Sequence, residues 1–265
     1  MFEFDPNAWY MMPAHFGPRT GKGGGMYWNS SGITVTYLTD RATLARYFPQ
    51  PVEVGEEPLV TVRCLQSNEI DWLAGGAYNL IDVQASAVFH GEVDHVVGGY
   101  SLVLWENLTD PILTGRELQG LPKIYADIPD LTIFEGEWSN CASYRGHKIV
   151  DVSVRDLEPV HQDEIDGLSP TIMWIGWRYV PNVGGTGAAI SHATLYPPHR
   201  FLPKEMWRGK GKVEWHHLTW EQNPTQYHIV NALAELPILE YRSAYVYRNA
   251  YSDPNCPTHP PKALQ

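Results

Sequence analysis

The sequence holds seven lysines, and only one of them, Lys123, lies between Lys22 and Lys148. Its neighbours Leu121, Pro122, Ile124 and Tyr125 are apolar or aromatic, and no charge adjoins it. A lysine amine is a nucleophile only when unprotonated, and in water at pH 7 the ammonium outnumbers the amine by roughly three orders of magnitude. Burial disfavours the charged form strongly enough to reverse that balance. Desolvation by Leu121, Ile124 and Tyr125 is therefore the expected route to a reactive amine. A turn lysine that snorkels to water has the same local sequence, so the run by itself leaves both readings open.

Other chemistry finds less support. The 11 histidines form no HExxH, no HxH and no 2-His-1-carboxylate motif. His216 and His217 are adjacent and in a strand would face opposite sides, so no metal site is expected. No GxSxG is present to carry a nucleophilic serine. Gly184-Gly185-Thr186-Gly187 completes neither GxGxxG nor a Walker motif; it reads as a connection between strands that could gate a pocket. Cys64, Cys141 and Cys256 are odd in number and far apart, which suits reduced thiols in a cytoplasmic protein. No cofactor is expected.

The elements that must position Lys123 are mostly strands. Runs at Ile33–Leu38, Leu59–Leu65, Gln84–His90, Tyr100–Trp105, Leu131–Phe134, Lys148–Val154, Thr171–Tyr179, Ala188–Leu195, Lys212–Trp215 and Ser243–Tyr247 are β-branched or aromatic and bounded by turn residues. Helical patterns are confined to Asp40–Phe48, capped by Asp40 and stopped by Pro49, and to Thr225–Leu236. With 265 residues and no repeat or linker, a single mostly-β domain over 1–265 is expected, with 1–30 as a loop-rich arm. A net charge of -11 argues against nucleic acid, and no apolar run is long enough to span a membrane as a helix. The acidic start of the chain lacks the pattern of a signal peptide. Only 18% of residues are charged while 12% are aromatic, so apolar surface is expected to hide in a pocket or between subunits of a homo-oligomer.

Gly115-Arg116-Glu117-Leu118-Gln119-Gly120-Leu121-Pro122-Lys123 resembles the lysine signature of the acetoacetate decarboxylase-like superfamily. Asp110-Pro111 upstream and the segment from Gly32 to Val60 follow the same pattern. The resemblance implies a closed β-barrel core with a few peripheral helices (mostly β, α+β), and Lys123 as the residue that forms a Schiff base. Such an iminium is an electron sink for the adjacent carbon.

Departures from the decarboxylase pattern point to one branch. The second lysine of the decarboxylases is replaced by Ile124, and other polar family positions fall at Ser30, Arg63 and Leu80. The sequence is most like the pyruvate aldolase-dehydratase branch, which implies a 2-oxo acid and an aldehyde as substrates. Tyr251 matches a C-terminal acid/base of that branch, and Gln119, four residues before Lys123, matches a polar group of the same pocket. Arg63 and Arg116 compete as the anchor for a substrate carboxylate. Tyr78, Trp72 and Tyr125 are candidate walls for an aryl aldehyde. The rival readings are a β-keto acid decarboxylase and a non-catalytic barrel that binds a small molecule.

Overall fold

Apolar Ile33, Val35 and Tyr37 alternate with Thr34 and Thr36, which dictates a strand with one fully buried side. That strand is β1 (Tyr27–Leu38) in the computed structural model, which describes residues 3–19, 21–22, 24–168, 171–256 and 259–265. The others are β2 (Val52–Val54), β3 (Leu59–Ile70), β4 (Gly76–His90), β5 (His95–Glu106), β6 (Lys123–Tyr125), β7 (Thr132–Phe134) and β8 (Glu137–Tyr144). They continue through β9 (His147–Pro159), β10 (Ile172–Pro181), β11 (Ala188–His199), β12 (Phe201–Leu202), β13 (Glu205–Trp215), β14 (Glu240–Ser252) and β15 (Lys262–Ala263). Each of the ten runs read from sequence falls within one of these strands, wholly or for most of its length.

Asp40 caps α1 (Arg41–Ala45) by accepting from the Thr43 amide. Two longer helices, α3 (Gln162–Leu168) and α4 (Tyr227–Ala234), complete the set with α2 (Thr109–Thr114). The sequence did not announce α2. Pro111 fits its first turn, where a missing N–H costs nothing. The helix then widens into a π-turn, Gly115–Gln119, that ends at Gly120 with φ +72°.

A single sheet runs β15-β11-β10-β5-β4-β3-β1-β14-β13-β9-β8-β7, with β2, β6 and β12 attached to its side. The closed barrel expected from sequence is not what forms: the described strands make an open path. Its end strands are short, two residues in β15 and three in β7. One edge of β5 is shared. β10 pairs with it in parallel at Gly99 and Tyr100, and β6 pairs in parallel at Leu104 to Glu106. These partners leave a split in the sheet, and the candidate site lies there.

The main core gathers Ile33, Val35, Tyr37, Val62, Ile81, Val83, Trp105, Val152 and Val246, all at most 2% exposed. Each such side chain contributes about 1.5–3 kcal/mol by leaving water. β4 is buried on both faces from Tyr78 to Ala85. Ile81 and Val83 enter the main core, while Tyr78 and Leu80 join Ile70 and Leu104 in a smaller cluster at the site.

Candidate active site

Four cross-strand neighbours form one row: Arg63 on β3, Asp82 on β4, Leu104 on β5 and Lys123 on β6. One step along, Leu65, Leu80 and Glu106 form the next row on the same face, because side chains repeat every second residue. This face carries two ion pairs. Lys123 Nζ donates to Glu106 Oε1 at 2.8 Å, with Lys123 7% exposed and Glu106 fully buried. Arg63 Nε donates to Asp82 Oδ2 at 3.1 Å, and Nη2 donates to the same oxygen.

Burial pushes the Glu106 carboxyl above its ordinary range, against the opposing pull of the Lys123 cation. Asp82 is raised in the same way, with Arg63 opposing. A carboxyl whose proton affinity burial has raised, 2.8 Å from an amine, is placed to accept that amine's proton.

Around these pairs closes a cavity of about 50 Å³, walled by Tyr27, Tyr78, Trp174, Tyr196, His199, Phe201 and Tyr247 along with Arg63, Glu106, Leu121 and Lys123. The Tyr27 and Tyr78 hydroxyls are 2.9 Å apart. Burial raises both phenols, so each holds its proton at neutral pH. His199 is pulled down to about 4 by burial and by Arg63, so it is neutral; its Nε2 meets Ser252 Oγ at 3.0 Å.

Of the residues named from sequence, Lys123, Arg63 and Tyr78 meet in this cavity. Trp72 packs behind its wall with Ile70, Tyr78 and Leu80. Gln119, Arg116, Tyr125 and Tyr251 are not among its walls. Arg116 instead donates from Nη1 to the Lys123 carbonyl at 3.0 Å, bracing the backbone that carries the amine. The Gln119 carbonyl accepts from Thr194 Oγ1 at 2.9 Å, tying the π-turn to β11. Tyr125 is 43% exposed and donates its hydroxyl to Asp127.

Tyr251 illustrates how one residue of register redirects a side chain. Tyr247 and Tyr251 would share a face in a regular strand. Between the pairs Gly32–Tyr247 and Ser30–Ala250, however, β14 carries one extra residue, and Asn249 there has φ +53°. Such a bulge inverts the alternation beyond it. Tyr247 therefore reaches the cavity, while Tyr251 pairs with Leu202 of β12.

Sequence reasoning missed Glu106 and Asp82, and with them the charged partner of Lys123. Desolvation by its sequence neighbours is thus not the whole environment of the amine: Ile124 is half-buried, Tyr125 is exposed, and Glu106 is in contact. A signal was present. Asp82 and Glu106 interrupt runs that otherwise read as buried strands, and a buried carboxylate demands a cation. Trp174, Tyr27, Tyr196 and His199 carried no comparable mark.

Gly115 confines the lysine. A Cβ there would sit 2.3 Å from Lys123 Cδ and 2.4 Å from Cε. Gly115→Ala is expected to push the amine off Glu106 and lower turnover about 10²-fold, the loss typical of a misplacement near 1 Å. The check is kcat alongside an unchanged circular dichroism spectrum; full activity in the variant would show that the lysine tolerates the shift.

The family model described as acetoacetate decarboxylase matches residues 11–254. Acetoacetate decarboxylase of Paraburkholderia phytofirmans is 27% identical over 216 residues, which is 80% of this chain and 77% of that protein. The enzyme of Ralstonia nicotianae is 24% identical over 80% of this chain and 78% of its own length. Among solved structures, one of acetoacetate decarboxylase superposes with TM-score 0.73 at 18% identity, covering 94% of this chain and 93% of the other. The enduracididine biosynthesis enzyme MppR complexed with pyruvate superposes with TM-score 0.68 at 14% identity, covering 99% of both chains.

Proposed function

Since this chain belongs to the acetoacetate decarboxylase family, we propose that it is a lyase in which Lys123 forms an imine with pyruvate or a similar small 2-oxo acid. The observation that carries the reading is the Lys123 amine, shielded from water and 2.8 Å from a carboxyl that burial inclines toward its protonated form. Glu106 takes the ammonium proton, and the free amine attacks the substrate's keto carbon. The surplus proton on the attacking nitrogen passes to the former carbonyl oxygen, which gives a neutral carbinolamine. Glu106 returns its proton as that hydroxyl leaves as water, and the protonated imine remains.

Loss of a proton from C3 converts the iminium to an enamine, which attacks an aldehyde carbon. Protonation of the new alkoxide and elimination of water give a conjugated iminium. Hydrolysis then frees Lys123 and an unsaturated 2-oxo acid; the reverse sequence is hydration followed by retro-aldol cleavage. The C3 proton passes to the Glu106 carboxylate, free again once water has left, while the protonated Tyr78–Tyr27 hydroxyl pair in the cavity wall donates to the new alkoxide and is reprotonated from Glu106. MppR has been solved with the condensation product of pyruvate and imidazole 4-carboxaldehyde, which supports this class of reaction on the same fold.

Each water in a cavity needs roughly 10–15 Å³, so about 50 Å³ suits a molecule of pyruvate's size. A larger aldehyde needs wall side chains to swing aside. The second reading, decarboxylation of a β-keto acid, is favoured by the names of the relatives and opposed by Ile124 standing where decarboxylases carry a second lysine.

Borohydride in the presence of pyruvate is expected to add the reduced substrate mass to Lys123 alone, read by peptide mass spectrometry. No adduct, or adducts spread over several lysines, sinks the imine reading. Release of carbon dioxide from acetoacetate, with no condensation product from pyruvate and an aldehyde panel, would install the second reading. The tyrosines separate as well. Tyr78→Phe is expected to lower condensation about 10²-fold while imine trapping persists, and Tyr251→Phe is expected to leave kcat within twofold. The opposite ranking in steady-state assays would return the acid/base role to Tyr251.

A further inference from the structure

Arg63 meets a substrate carboxylate with only part of its fork. Its Nε and Nη2 both donate to Asp82 Oδ2, so that edge is occupied and the Nη1 side is what it can offer a substrate. The cavity face as a whole is charge-balanced, with Lys123 against Glu106 and Arg63 against Asp82. A 2-oxo acid brings a further negative charge among these buried groups. It requires donors beyond those the ion pairs consume, because an unpaired buried anion is costly.

One such donor stands in the wall. Trp174 Nε1 is shielded from solvent and has no hydrogen-bond partner. Buried indole N–H groups normally find one, so an orphan in a cavity wall needs a reason. The Trp174 ring is also fixed. The Arg63 guanidinium carbon lies 4.8 Å from its centroid, and its other neighbour, Tyr196, stacks at 5.3 Å with planes 29° apart. Trp174 thus sits beside the cation and is held by flanking groups, across the split in the sheet from Lys123.

Resting on the imine reading above, we infer that Trp174 is a specificity residue whose indole N–H, together with Arg63, receives the carboxylate of the 2-oxo acid substrate. The keto carbon is then presented to Lys123, while a neutral ketone gains nothing from the same wall. Selectivity for 2-oxo acids over simple ketones follows from a donor that is satisfied only when the acid is bound.

Trp174→Phe keeps an aromatic ring against Arg63 and Tyr196 and deletes only the donor. The experiment measures the concentration of pyruvate, and separately of acetone, that half-saturates borohydride trapping on Lys123. The expected result is a rise of about 10- to 100-fold for pyruvate, the range for losing one hydrogen bond to a charged acceptor, with the acetone value changed less than twofold. The acetone arm verifies in the same sample that the fold and the amine are intact. An unchanged pyruvate value, or equal losses for both ketones, overturns the assignment to Trp174 while leaving the imine reading in place. Failure of the unsubstituted protein to trap either ketone overturns the imine reading and this inference with it.

Discussion

Lys123→Ala is expected to lower turnover at least about 10⁴-fold, the scale seen when a covalent nucleophile is removed, and to abolish borohydride labelling. The same substitution exposes the electrostatic design of the site. Glu106 is fully buried, and Lys123 supplies the cation that opposes its burial-driven rise. With that cation gone, the folded state holds Glu106 as a neutral acid, whereas in the unfolded chain its carboxyl titrates near the ordinary value of about 4.3. Above that pH the folded state binds the extra proton, so the variant's stability is fully present at low pH and falls as pH rises toward and through the raised folded value. The Tm of Lys123→Ala should therefore fall relative to the parent as pH rises above about 4.3. Adding Glu106→Gln should flatten that relative drop. A Tm difference independent of pH in the single variant would show that Glu106 has another counter-charge.

Glu106→Gln carries the second large effect. The amide keeps the shape and still accepts from Lys123, but it can neither take the ammonium proton nor return one to the departing hydroxyl. A positioned acid/base contributes about 10²–10⁴-fold, and kcat is expected to fall by that amount. The lysine itself is untouched, so long incubation with pyruvate and borohydride should still label Lys123. Single-turnover trapping rates distinguish slow imine formation from a slow later step. A kcat within threefold of the parent would sink the role assigned to Glu106.

Much of the architecture was legible along the chain. Strand runs announce themselves because alternation and β-branching act locally, as in Ile33–Leu38, and the cap at Asp40 works through its own next turn. The run from Gly115 to Lys123 was legible in the same way, since its residues touch one another: Leu121 N–H donates to the Gly115 carbonyl, and Gly115 leaves room for the lysine side chain. The π-turn inside it was not, because widening a helical turn depends on what the turn packs against.

By itself, the sequence determined the mostly-β class, the family signature and the one lysine that carries it. Each of these rests on residue types and on spacings of a few positions, where steric and hydrogen-bonding preferences decide. Tertiary structure alone decided who stands opposite that lysine. Glu106 lies 17 residues earlier and Asp82 lies 41 earlier, yet parallel pairing of β6 with β5 and antiparallel pairing of β5 with β4 bring them onto its face. A bulge near Asn249 chose Tyr247 over Tyr251. The open order of the sheet set Trp174 across the split in β5's pairing. Strand register multiplies a shift of one residue into a change of face for every side chain beyond it, so the lining of the site belongs to the assembled sheet and to no segment alone.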